Sequence, residues 1–236
     1  MHLLTITIAL FLCIGNASAA HLSPFQADYE FRVNGMVLGE TTFDLSRENE
    51  YRWIYTHSTR PMGILAGIQR DRRERSIFIL DNGYPQPVEF QGRDALRSKP
   101  REGFLRFDWG ASIVSGAWNG QPWQVPLEGI VHDPLTYQLA IMLDLAKGAS
   151  ALNYLVAEDA KLKSYHFEIT GKETLQTLAG PFDTVRLERT QDSDKRRTIL
   201  WCAPILSYLP VKIEQQDSGT HYVMVLRAIT GLSSTH

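Results

Sequence analysis

The sequence predicts a mainly β protein: a curved antiparallel sheet forming an open barrel or roll, with one main α-helix packed on its concave face. Three observations carry this. A dozen or so segments alternate apolar and polar residues, the period of a half-buried strand. Turn pairs such as Asn34-Gly35, Asn82-Gly83 and Asn119-Gly120 separate many of them, and Asn-Gly suits the two positive-φ positions of a tight hairpin. Only residues 133–148 read clearly as a helix. Strands without intervening helices pair antiparallel, and so many in one sheet must curl or close.

In chain order, residues 1–20 read as a cleaved signal peptide. Residues 3–14 form an apolar core too short to span a bilayer well, and Asn16-Ala17-Ser18-Ala19-Ala20 supplies the small residues that signal peptidase accepts. No Lys or Arg precedes the core, only His2 and the α-amino group. Leu10-Phe11-Leu12 precede Cys13, so no lipid anchor is read. The expectation is a periplasmic protein without a membrane span in its mature form. Residues 21–232 form one β-roll domain and 233–236 a flexible tail. Cys202 is then the lone thiol of the mature chain, and its apolar strand points to a buried small hydrophobe rather than a nucleophile.

Residues 25–33 and 36–45 flank Asn34-Gly35 as a hairpin, and 51–56 make a third strand. Residues 61–68 form an apolar stretch broken by Gly63 and Gly67, a loop or one short helical turn. Residues 70–80 read as a strand, charged at its start and apolar at its end. Pro85 and Pro87 bracket the entry to 88–91, which suggests an edge or bulged segment. Residues 104–109, 112–118 and 123–125 make a meander. After the helix, strands are expected at 151–156, 163–171, 183–189, 197–203, 210–215 and 221–229, with a turn inside 174–181.

The helix opens with Asp133, whose carboxylate can accept from the free N–H groups of the first turn, and Pro134, which fits the first helical position. Gly148 suits the left-handed residue that ends a helix. Only Thr136, Ala140, Asp144 and Lys147 form a stripe that could face water, so the helix needs cover on nearly all sides.

Several pieces together resemble the exported Gram-negative family known as domain of unknown function 3108. They are Tyr29 with Asn34-Gly35 and Gly39; Gly83 with Pro85, Pro87 and Phe90; and Asp133-Pro134-Leu135-Thr136-Tyr137. Gly171, Thr177, Gly180-Pro181-Phe182 and Thr184-Val185 continue the pattern, and Trp201 with Leu209-Pro210-Val211-Lys212-Ile213 completes it. The resemblance implies a periplasmic β-rich protein without an established activity. By looser analogy of fold, an open roll with a helical plug is similar to the periplasmic lipoprotein carriers.

The 236 residues carry a formal net charge of −2, which with an export signal argues against a nucleic-acid partner. Neither a Gly-x-Ser-x-Gly elbow, a His-Glu-x-x-His pair nor a phosphate loop occurs, so no catalytic residue, metal site or cofactor is assigned. The histidines are scattered, and His132 reads as the exposed neighbour of a capping Asp133.

Two features suggest binding. Residues 61–68 could be a lid over an apolar cavity, although such loops more often simply cap a core. In Arg70-Asp71-Arg72-Arg73-Glu74-Arg75 the charges interleave, which favours a solvated, cross-paired strand end; the alternative is an anion site at the mouth of the roll, which Lys195-Arg196-Arg197 could join. The expected activity is non-enzymatic: a monomer holding an apolar or amphiphilic envelope molecule, such as a lipid, between sheet and helix. Its candidate ligand-binding residues are Ile64, Leu65, Leu139, Met142, Arg72 and Arg73. The alternative is a solid-cored interaction protein docking another envelope protein, and an envelope-polymer hydrolase ranks last.

Overall fold

The computed structural model describes residues 21–63, 71–96, 99–190 and 196–232. The proposed signal, the tail, residues 64–68 of the glycine-broken stretch and residues 69–70 lie outside the described residues. One arm of the chain comprises β1 (Phe25–Val33), β2 (Met36–Arg47), β3 (Arg52–Pro61), β4 (Arg72–Asp81), β5 (Tyr84–Asp94), β6 (Arg101–Asp108), β7 (Ile113–Trp118) and β8 (Gln121–Pro126). Then come the short β9 (Val131–His132) and the helix α1 (Thr136–Ala146). The second arm comprises β10 (Leu152–Glu158), β11 (Lys161–Thr177), β12 (Gly180–Thr190), β13 (Arg196–Ala203), β14 (Leu209–Asp217) and β15 (Thr220–Thr230).

All belong to one 15-stranded sheet in the order β8 through β1, then β15 back through β9. The first and last strands therefore pair at its centre, and the two arms curl toward each other. Every ladder is antiparallel except β9 with β10, which is parallel because α1 lies between them and returns the chain in the same direction. Asn34 and Gly35 have φ of 49° and 83°, the two left-handed residues that a two-residue hairpin demands. Asp159-Ala160 joins β10 to β11 with φ of 56° and 61° and no glycine to signal it.

Side chains and α1 close the seam between the arms. Asp144 accepts hydrogen bonds from Tyr84 of β5 (2.7 Å) and Tyr154 of β10 (2.8 Å), tying one element to both arms. Ser76 of β4 donates to Asp133, and Arg101 of β6 pairs with Asp159 in the β10–β11 turn.

Asp133 Oδ1 accepts from the backbone N–H groups of Leu135 (2.7 Å) and Thr136 (2.9 Å), while Thr136 Oγ1 accepts from Asp133 N–H (3.0 Å). This is a reciprocal capping box with Thr in the place of the usual Glu. At the other end, Gly148 N–H bonds Leu145 O and Ala149 N–H bonds Asp144 O, with Gly148 at φ 76°. That pattern is a Schellman cap.

Three expectations are corrected or sharpened. Thr136 and Ala140 do not face water; both are buried, because the roll wraps the helix and Thr136 is occupied in its cap. Of the edge or bulged segment expected at 88–91, the bulge is what occurs: β5 is an interior strand between β4 and β6, and its prolines are accommodated where Ile77/Phe78 shifts register. The strand expected at 163–171 extends over residues 161–177, and the turn expected inside 174–181 falls at Leu178-Ala179.

The closed end of the roll is packed solid. Trp53, Phe78, Leu105 and Val114 meet Leu135, Leu139, Met142 and Leu143 of the helix region there. Ala140, Ile141 and Leu145 pack instead on Leu152, Val156 and Leu187 of the second arm, with Cys202 beside them. Cys202 is fully buried, and burial pushes its thiol well up, so it behaves as the packing residue expected.

Candidate functional site

The opposite end is not filled. A cavity of about 750 Å3 lies between the arms, within the size range of about 300–1,000 Å3 typical of small-molecule sites. Its lining comes from the same end of almost every strand. The helix contributes Tyr137, Gln138 and Ile141, one stripe at helical spacing.

The two walls differ in chemistry. Strands β1, β2, β14 and β15, from the middle of the sheet, present the mainly apolar set Phe31, Leu38, Phe43, Ile213, Tyr222 and Met224, with Gln215 and Asp217 toward the end of β14. Strands β4 to β6 and β10 to β12, which meet at the seam, present Arg72, Glu74, Arg101, Glu158, Tyr165 and Arg189. Five arginines and four carboxylates border the cavity in all. The cavity is thus amphipathic across its width.

The charged wall is built by cross-strand register. His57 stands opposite Glu74, and Thr59 stands opposite both Thr41 and Arg72. Glu74 Oε1 accepts from Arg72 Nη2 (2.7 Å), and Oε2 lies 2.8 Å from His57 Nδ1. The other ring nitrogen of His57 lies 3.2 Å from Thr59 Oγ1, which lies 2.8 Å from Thr41 Oγ1.

Burial alone would raise the Glu74 carboxyl, but the Arg72 charge and the His57 hydrogen bond outweigh it and hold it down at about 2. Glu74 is therefore a carboxylate that can only accept. It follows that His57 carries its proton on Nδ1, its Nε2 accepts from Thr59, and Thr59 accepts from Thr41. Burial lowers the His57 pKa, partly offset by Glu74, which keeps the ring neutral and consistent with this directed chain. Phe43 stacks on the imidazole at 4.5 Å between centroids. The Glu–His–Thr order is that of an orienting acid, a base and a hydroxyl. His57 and Thr59 both line the cavity, and the chain also fixes Glu74 and through it Arg72.

Arg72 is pushed the other way: burial opposes its charge, but the adjacent Glu74 outweighs it and raises the guanidinium pKa further. Among the described residues no three His, Cys, Asp or Glu side chains converge as metal ligands; the charged wall offers arginines, which suit an anion.

The residues expected to bind ligand are placed as follows. Arg72 is on the cavity wall. Arg73 alternates to the outer face, 70% exposed at its side chain and paired with Asp71 at 2.6 Å. Leu139 and Met142 sit in the packed core rather than on the wall, because the helix turns Tyr137 and Gln138 toward the cavity, with Ile141 shared between the cavity and the second-arm core. Ile64 and Leu65 lie outside the described residues, although Pro61, at the start of their segment, borders the cavity. Of the second basic run, Arg196 lines the cavity, Arg197 pairs with Glu188, and Lys195 lies outside the described residues.

His132 is not the exposed neighbour of a cap. It is 3% exposed, because β9 pairs with β10 and brings its ring edge-on to Tyr154. Burial pushes its pKa down to about 4, against the opposing pull of Asp144. Burial pushes Asp133 up to about 6, against its hydrogen bonds from Ser76 and the helix N–H groups.

His57, Arg189, Tyr137 and Tyr165 were not legible as site residues. The usable signal was spacing: His57 and Thr59 share a strand face, as do Arg72 and Glu74. The missing information was the register joining those two faces.

The model of a family described as "Protein of unknown function (DUF3108)" matches residues 26–227. No curated protein matches the chain. Among solved structures, the chain is similar to a "Beta-barrel-like Protein of Domain of Unknown Function DUF1849 from Brucella abortus", with a TM-score of 0.56 and 11% identity, covering 90% of this chain and 99% of that one. It also aligns with "a putative lipoprotein from Parabacteroides distasonis", with a TM-score of 0.40 and 11% identity over 89% of this chain and 96% of the other. The first likeness shows a shared fold. Among the described residues no helix is long and apolar enough to cross a membrane.

Proposed function

This chain belongs to the DUF3108 family of unknown function, and from its cavity we propose that it is an exported periplasmic carrier that holds an amphiphilic molecule of the Gram-negative cell envelope between sheet and helix. The observation that carries this reading is the division of the cavity into an apolar wall and an arginine-bearing wall. An apolar body gains by leaving water, at about 25 cal/mol per Å2 buried, while a polar head needs hydrogen-bonding partners on the opposite side. The apolar run at 3–14 and the small residues at 16–20 support export. That the sequence holds no Gly-x-Ser-x-Gly elbow, His-Glu-x-x-His pair or phosphate loop favours binding over turnover.

The test is extraction of the protein, purified from periplasm without detergent, into organic solvent, followed by mass spectrometry. A stoichiometric co-purifying amphiphile is expected. Finding none, together with no saturable binding of dodecyl phosphate or dodecanoate by calorimetry, would overturn the carrier reading.

A further inference from the structure

Resting on the carrier reading, we infer that the ligand is an anionic amphiphile whose phosphate or carboxylate is held by Arg72 and Arg189, with its apolar body against Phe31, Phe43 and Met224.

The first argument is a donor left over. Arg72 Nη2 is engaged by Glu74, yet Nε is buried and has no hydrogen-bond partner in the protein. A buried, unpartnered N–H of a charged group carries a substantial desolvation cost. Two other buried polar atoms on lining residues share this condition: Trp118 Nε1 and Thr198 Oγ1. Such atoms also occur away from the cavity, on Trp123, His132 and Asp159, but among those on its lining Arg72 Nε alone belongs to a charged group, and a ligand anion would give it a partner.

The second argument is geometry. Arg72 is held through Glu74 by the His57–Thr59–Thr41 chain, so its planar fork is pre-organised. Arg189 is 6% exposed and lies over the Tyr165 ring at 4.2 Å. Arg72 and Arg189 line the same cavity, and both guanidiniums act on its Tyr137 phenol, as the Glu158 and Glu74 carboxylates do in the opposite sense. Two fixed guanidiniums bind a phosphate or carboxylate by paired N–H contacts, which a single ammonium cannot reproduce.

Glu74 does not displace the ligand. A guanidinium has five N–H donors, and Glu74 is itself shared with His57. The apolar body is placed by the opposite wall, where Phe31 and Met224 face each other across the β1–β15 ladder at the centre of the sheet.

The experiment is calorimetric titration of the mature full-length protein with four probes: dodecyl phosphate, dodecanoate, inorganic phosphate and dodecyltrimethylammonium. The two anionic amphiphiles should bind saturably, with the Trp118 environment changing in the fluorescence spectrum. Arg72→Gln should weaken both at least tenfold. Arg189→Gln is the independent second variant, with the same expectation should Arg72→Gln fail to fold. Arg227→Gln, on the exposed outer face, should change nothing. Equal binding of dodecyltrimethylammonium, with no loss in either arginine variant, would overturn the headgroup assignment and leave the carrier reading standing. Inorganic phosphate binding as tightly as dodecyl phosphate would overturn the amphiphile in favour of a free anion. Failure of both anionic and cationic amphiphiles, with no amphiphile co-purifying, would overturn the carrier reading itself.

Discussion

At the scale of single residues, Asp133 and His132 are adjacent, both buried, and shifted in opposite senses. The Asp133 pKa is about 6 in the folded protein, above its unfolded value, so the folded state takes the proton first. Its contribution to stability therefore rises as pH falls from about 6 toward 4. The His132 pKa is about 4, below its unfolded value, so the unfolded state takes the proton first and stability falls over nearly the same window. Each amounts to about 3 kcal/mol at roughly 1.4 kcal/mol per pKa unit, and the two nearly cancel. Asp133→Asn should expose the imbalance: relative to wild type it should lose about 3 kcal/mol between pH 6 and 4, read by urea melts at each pH. A parallel pH dependence in the two proteins would show that Asp133 titrates normally. At Glu74 the expectation is spectroscopic. Glu74 raises the His57 pKa against burial, so Glu74→Gln should move the His57 titration further down, seen in imidazole NMR shifts.

At the scale of elements, the helix carries two kinds of apolar residue that look alike in the sequence. Leu139 is fully buried in the packed core, and Leu139→Ala should cost roughly 2–5 kcal/mol in thermal melts. Tyr137, on the cavity stripe, meets open volume on one side, and its replacement by Phe should cost less than about 1 kcal/mol while leaving the Leu139 contacts intact. The caps at both ends were readable because each rests on local chemistry: Asp133 with Pro134 at the start, Gly148 at the stop. Which face meets core and which meets cavity was not readable, since apolar periodicity marks burial but not what lies opposite. Strand β5 teaches the same point. Its prolines argued for an edge or a bulge, and only the β4–β5 ladder shows that a bulge lets it lie inside the sheet.

At the scale of the whole molecule, the sheet meets itself without a continuous ladder, and Asp144 spans the junction. Asp144→Ala would leave the Tyr84 and Tyr154 hydroxyls without their acceptor, at about 1–3 kcal/mol. Hydrogen exchange should then accelerate in β5 and β10 together while β1 and β15 at the sheet centre stay protected. Faster exchange in only one of the two arms would show that Asp144 does not join them. The same curling explains the cavity. The central strands bring apolar residues to one side and the seam strands bring charge to the other, so neither arm alone has a binding site.

The fold class, the hairpin turns and the helix ends are determined by the sequence itself, because strand alternation, Asn-Gly turns and capping residues act over a few positions along the chain. The alternation also placed Arg72 and Glu74 on one strand face. Tertiary structure alone decided that His57 would stand opposite Glu74, that Arg189 would arrive from the other arm, and that Arg73 would face outward onto Asp71. The physical reason is register and closure. A pairing between strands depends on every connection and on the curl of the sheet, and a one-residue slip would exchange the cavity face for the outer one.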